Sequence, residues 1–271
     1  MRSRARRRPF GPRQGISKDQ GSGRRAPVVK FIWSNALSEE EWVIYSRAID
    51  AARSSGARFM LGGGFALATF TGRWRDTKDI DFYIHPQDRG KVVESLTSVG
   101  FKDYYTKLAY DRKWIYRSVQ SDVIVDIIWS MANQRAQVDD LWFQRAGTLE
   151  LRGQRLLVIP AEELMWCKPY IMQRDHCDWG DVFNLVYAIG TKLDWTHLIM
   201  RLGEDLPLLR AVLQVYAWLC PEHVLKLPSK LWSRLGLPIP RRTKPSRNHI
   251  RLLDSRGWFA ALQPPARKLE V

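Results

Sequence analysis

From Leu37 onward the apolar positions fall into two periods. In LSEEEWVIYSRAIDAARSSG, Trp42, Tyr45, Ile49 and Ala52 recur every three or four residues, behind three acids and ahead of Gly56. That spacing predicts an amphipathic helix. ARFML then predicts a short strand, GGG a turn, FALATFTG a short helix and DIDFYI a strand. PQDRGKVVESLTSVG predicts a helix stopped by its glycine. FKDYYTK, KWIYRSV and VIVDIIW predict three strands, the last two a hairpin across the three-residue linker QSD. RLLVI predicts a further strand, and Pro160 opens a helical region that runs, with breaks, to about Cys220. Strands with helices among them, then helices alone, predict an α+β fold. A mixed β-sheet with flanking helices is expected over residues 35–159 and a helical domain over 160–225.

The ends read differently. Residues 1–34 are rich in Arg, Gly and Pro with few apolar positions, which predicts a disordered basic tail. Residues 226–271, with LPIPRRTKPSR and QPPARK, predict a basic, partly ordered extension. Of the formal +15, the first thirty residues hold +9 (ten Lys/Arg, one acid) and residues 226–271 another +9 (eleven Lys/Arg, two acids), leaving −3 for the middle. The basic ends are therefore candidate arms for nucleic acid, or solvated tails. No apolar run is long enough to span a bilayer and no secretory h-region opens the chain, so no membrane association is expected. Three cysteines without C-x-x-C spacing fit reduced thiols in the cytoplasm.

The middle carries the candidate chemistry. Asp79 and Asp81 alternate with Ile80, Phe82 and Ile84 on one predicted strand. A strand has a side-chain period of two, so both carboxylates leave one face about 7 Å apart while the apolar residues enter a core. Asp126 is the lone charge in VIVDIIW, a pattern that suits a central strand. A buried carboxylate is costly unless paired or metal-bound. If the hairpin lies beside the Asp79 strand, three aspartates meet, and all-oxygen ligands of that kind suit two Mg2+ or Mn2+ ions. Gly62, Gly63 and Gly64 stand between a strand and a helix, where backbone N–H groups make an anion site. Arg73, Arg75 and Lys78 could compensate charge there or touch phosphate, and Arg75 is a candidate nucleotide-binding residue. Each feature also has a plainer reading: a loop for the glycines, a solvated strand edge for Asp79-x-Asp81, and an ion pair with an Arg such as Arg75 for Asp126.

At these residues the chain resembles the nucleotidyltransferase superfamily with the DNA polymerase β-like fold. Gly62-Gly63, then Asp79-Ile80-Asp81, then Asp126 match its pattern in order and setting. Arg75-Asp76-Thr77-Lys78-Asp79-Ile80-Asp81-Phe82 looks most like the AbiEii/AbiGii-type toxin enzymes. GGGFAL followed by GR and DID is similar to the small bacterial aminoglycoside and lincosamide nucleotidyltransferases, with one residue fewer before the aspartates than in the aminoglycoside type. The resemblance covers about residues 40–190. It implies that the Gly turn binds the β- and γ-phosphates of an NTP, that Asp79 and Asp81 hold two Mg2+, and that Asp126 ligates one and helps deprotonate a hydroxyl acceptor. It further implies nucleotide binding by Lys168, which Pro169 could aim at the cleft, with Asp178 or Asp181 as the later helical acid; Arg73 and Thr77 are supporting candidates beside the aspartates. The plainer readings are a surface Lys168 and Asp178 as a helix N-cap. His176-Cys177 reads as structural. The expected activity is transfer of a nucleoside monophosphate from an NTP to a small molecule or an RNA or tRNA end, with a cognate antitoxin as a possible partner. The alternative is a catalytically silent relative that binds RNA or a partner through its basic ends. A phosphotransferase on another fold is disfavoured, because no G-x-x-x-x-G-K-[ST] or H-R-D motif is present.

Overall fold

A Ser–Glu capping box starts the ordered part. Ser38 Oγ accepts the Glu41 amide and the Glu41 carboxylate accepts the Ser38 amide, both at 3.1 Å. Such a cap stabilises a helix by about 1 kcal/mol. It opens α1 (Glu39–Ser54), whose buried stripe includes Tyr45, Ile49 and Ala52, as the period predicts. The computed structural model describes residues 36–74, 77, 79–132, 134–174, 176–242, 249–253 and 259. The expected N-terminal tail, Arg75, Lys78 and most of the C-terminal extension lie outside the described residues.

Among the described residues, seven strands form one mixed sheet in the order β3-β4-β5-β2-β1-β7-β6. They are β1 (Phe59–Leu61), β2 (Asp79–Ile84), β3 (Lys102–Asp103), β4 (Ile115–Gln120), β5 (Val123–Ile128), β6 (Gly147–Leu151) and β7 (Gln154–Val158). β2 runs parallel to β5, and β1 parallel to β7; the other pairs are antiparallel. The described helices are α1, α2 (Gly63–Thr71), α3 (Arg89–Ser98), α4 (Asp140–Gln144), α5 (Ala161–Cys167), α6 (Trp179–Ile189), α7 (Trp195–Leu202), α8 (Leu206–Leu219), α9 (Ser229–Arg234) and α10 (Ile250–Leu253). This is the α+β architecture expected, with helices alone after β7. None of the described helices is long and apolar enough to cross a membrane.

Three expectations change. FKDYYTK keeps only Lys102–Asp103 as strand and then turns through a 3-10 helix at Tyr104–Thr106, where the Asp103 side chain accepts the Tyr105 amide. That local bond competes with the ladder. β6 was not anticipated, because GTLEL has one side chain, Leu151, that is fully buried. The β4–β5 linker is two residues, not three: Ser121 and Asp122 both have positive φ, 46° and 65°, and Gln120 belongs to β4. Two such residues form the tight turn whose twist matches a hairpin.

The core explains where the cleft falls. α2 buries Gly64, Phe65, Ala66, Leu67 and Ala68, because it is enclosed by β2, α5 and α6. A helix apolar all round needs that enclosure. α5 is braced from beyond by a buried cluster: Glu163 accepts from His197 at 2.6 Å and Arg201 at 3.2 Å, and Arg201 forks onto Asp139. The helices after the sheet are thus tied to α2, the helix that opens with the glycines.

Candidate active site

β2 sends Asp79, Asp81 and Tyr83 to one face and buries Ile80, Phe82 and Ile84 on the other. The parallel register sets Asp81 beside Asp126 of β5. One carboxylate oxygen from each of Asp79, Asp81 and Asp126 lies within 4.8 Å of the others. Three hard oxygen donors at that spacing fit a divalent cation such as Mg2+ or Mn2+. Thr77 donates its hydroxyl to Asp79.

Asp126 is only 2% exposed, and it is paired with Arg117 of β4; Arg75, the arginine suggested for it, lies outside the described residues. Arg117 Nε reaches Asp126 Oδ1 at 2.7 Å and Nη2 reaches Oδ2 at 2.5 Å, a bidentate fork. Burial pushes the Asp126 carboxyl above its usual range; the Arg117 guanidinium works against that and the Asp79 charge adds to it. The fork in turn raises the Arg117 guanidinium above its ordinary value. Arg117 was missed in the sequence, and the signal was present. With a two-residue turn, counting outward from Ser121–Asp122 pairs Arg117 with Asp126; with the three-residue linker it does not.

The glycines serve the carboxylates by making room. Gly62 caps α2, and Gly63 and Gly64 are its first residues rather than a preceding turn. A Cβ on Gly63 would stand 1.7 Å from Asp81 Oδ2, and Gly63 has φ +46°. A Cβ on Gly62 would meet the Tyr83 ring at 2.1 Å, and one on Gly64 the Thr77 side chain at 3.2 Å. The N-terminal end of α2, positive in its dipole, therefore lies against Asp81.

The opposite wall is built by the end of α5 and the segment leading to α6. Pro169 breaks α5 into a 3-10 turn, Lys168–Tyr170, and its carbonyl accepts Trp179 Nε1 at 3.1 Å. Lys168 is buried, not a surface lysine. Its Nζ donates to Asp178 at 2.8 Å and Asp181 at 2.6 Å. Asp178 occupies the N-cap position of α6 but makes no side-chain cap bond. Its other oxygen pairs with His176 Nε2 at 2.9 Å, so His176 joins this wall. Arg73 donates to Asn184 of α6 at 3.2 Å, and burial lowers its guanidinium while the Asp181 charge raises it. Gly63, Thr77, the three aspartates, Lys168, His176 and Asp178 all border one cleft of about 240 Å3. Arg73 and Asp181 do not border that cleft, and Arg75 lies outside the described residues.

A model of a family described as uncharacterised nucleotidyltransferase matches residues 45–223. No curated protein matches the chain. Among solved structures, the antibiotic-resistance factor ANT(2'')-Ia is similar with 14% identity and a TM-score of 0.45, over 66% of this chain and 98% of that one. A lincosamide antibiotic adenylyltransferase with bound lincomycin has 18% identity and a TM-score of 0.39, over 55% and 96%. An antigenic nucleotidyltransferase-like protein from Paracoccidioides brasiliensis has 17% identity and a TM-score of 0.37, over 66% and 94%.

Proposed function

The chain belongs to the family of uncharacterised nucleotidyltransferases, and from that premise we propose that it moves a nucleoside monophosphate from an NTP to a hydroxyl acceptor, with Asp79, Asp81 and Asp126 at the reacting centre. The observation that carries the reading is the convergence of these three carboxylates within 4.8 Å beside the start of α2. A site with no charged ligand has little reason to hold three acids so close.

Mg2+ or Mn2+, when bound, would neutralise these acids and the phosphate oxygens facing them. The chain's own groups divide the remaining work. Asp79 and Asp81 present oxygens to the cation from one strand face. The N–H groups that open α2 favour the anionic β- and γ-phosphates. Lys168, held in place by Asp178 and Asp181, is the ammonium on the far wall that would meet the phosphates. Asp126 takes the acceptor proton: the Arg117 fork uses one lone pair on each carboxylate oxygen and leaves one on each. The acceptor oxygen then bonds to the α-phosphorus, the bond from that phosphorus to the bridging oxygen breaks, and its electron pair leaves with pyrophosphate. In this reading the chain works in the cytoplasm, where NTPs are abundant, and its basic ends are available to a nucleic acid.

The test is incubation of the full chain with each α-labelled NTP, Mg2+, total tRNA and a mixture of small hydroxyl compounds. Label should move to an acceptor, with stoichiometric pyrophosphate. Transfer that survives Asp79→Ala/Asp81→Ala would remove the site from the reaction.

A further inference from the structure

Asp126 marks where an acceptor hydroxyl must sit, and the strand period fixes what lies one step beyond it. On β5 the next residue on that face is Ile128; on β4 the next same-face residue after Arg117 is Ile115. The register sets Ile115 directly opposite Ile128. Both border the cleft, flanked by half-buried Trp114 and by Met131. The surface past the base is therefore an apolar floor with an aromatic rim.

The charges around it are committed. The Arg117 fork is spent on Asp126. Lys168 is held by two carboxylates on the opposite wall, and Asp178 is shared between Lys168 and His176. Apart from Asp126 and the Arg117 that forks onto it, the described cleft residues of β4, β5 and the segments flanking them offer neither a carboxylate to an ammonium-rich sugar nor a cation to a phosphodiester. Either acceptor would lose hydration there without a partner. An uncharged ring gains from the same surface.

We propose that the Ile115–Ile128 floor with Trp114 is the acceptor subsite, and that it takes a small neutral hydroxyl compound with an aromatic or alicyclic face next to its hydroxyl. This rests on the nucleotidyl-transfer reading, which assigns Asp126 to the acceptor side.

The experiment is saturation-transfer NMR on the full chain with Mg2+ and a non-hydrolysable ATP analogue. Three probes are compared: 2-naphthylmethanol, the aminosugar kanamycin and a short oligoribonucleotide with a free 3′-hydroxyl. The naphthyl alcohol should bind, and its affinity should fall about tenfold in Trp114→Ala. Ile128→Thr, still β-branched but smaller and polar, should weaken it in the same direction while the fold is checked by Tm. Kanamycin or the oligoribonucleotide binding in a Trp114-dependent way would overturn the assignment. So would no binding of the alcohol, or binding indifferent to both variants. Affinity for the ATP analogue is read separately. Its absence in the native chain, or its persistence in Asp79→Ala/Asp81→Ala, counts against nucleotidyl transfer itself and leaves the acceptor result distinguishable.

Discussion

Gly63 and Asp81 occupy the same corner: a Cβ added at position 63 would stand 1.7 Å from Asp81 Oδ2. The glycine lets a helix start against a carboxylate, and that contact couples the start of α2 to the acidic face of β2. Gly63 is also left-handed at φ +46°, a conformation that costs an L-residue about 1–2 kcal/mol. Gly63→Ala should therefore both destabilise the chain and displace Asp81. Gly72 is the control, since it has φ +67° with nothing within 4 Å of its added Cβ. Gly72→Ala should cost about 1–2 kcal/mol of stability and leave Mn2+ affinity unchanged, whereas Gly63→Ala should lose Mn2+ affinity as well. Calorimetric Mn2+ titration beside thermal unfolding separates the two. Equal Mn2+ binding by both variants would contradict the coupling.

Removing Arg117 leaves Asp126 buried without its fork. Arg117→Met should lower unfolding free energy by about 2–4 kcal/mol, somewhat under the fully buried range because Arg117 keeps 31% of its side chain exposed. Asp126→Asn added to that background should return part of the loss, because the uncompensated charge is gone. Urea denaturation of the two single variants and the double variant measures it; additive losses would mean that the pair does not interact.

Lys168 has a structural and a proposed chemical task, and they can be parted. Lys168→Met leaves Asp178 and Asp181 facing one another without their shared cation, so stability should fall by about 3 kcal/mol. Adding Asp178→Asn and Asp181→Asn should recover much of that stability. NTP turnover should stay down by about a hundredfold in the triple variant, because the Lys168 ammonium assigned to the phosphates is missing. Recovery of turnover along with stability would reduce Lys168 to a brace.

The pH dependence of stability should include a contribution from His223. It is stacked on Tyr187 at 4.3 Å and bonded to Tyr216 at 2.7 Å. Burial, and then the Lys226 charge, lower its imidazole below the usual 6.5. As pH falls, the unfolded chain takes the proton first. The stabilisation is complete above about 6.5 and is lost as pH drops through the folded value. Tm should decline on acidification from pH 8 to pH 5, and less steeply in His223→Gln. Parallel curves for the two proteins would exclude the assignment.

The amino-acid sequence by itself determined what depends on neighbouring residues. The period of α1, the acids of its first turn and the shared face of Asp79 and Asp81 follow from backbone geometry over a few residues. Those features stand in the fold as they read in the chain. Only the tertiary structure decided which groups those carboxylates meet. Asp126 sits beside Asp81 because β5 pairs with β2 in one register of several. Arg117 grips it because a turn one residue shorter than QSD sets Arg117, not Tyr116, opposite Asp126 across the hairpin. Lys168 is enclosed by Asp178 and Asp181 because the break at Pro169 returns the chain onto α6. A strand's own faces are fixed locally by its pleat, whereas its partners are fixed by register and packing. One residue of slip there moves a side chain to the other face of the sheet.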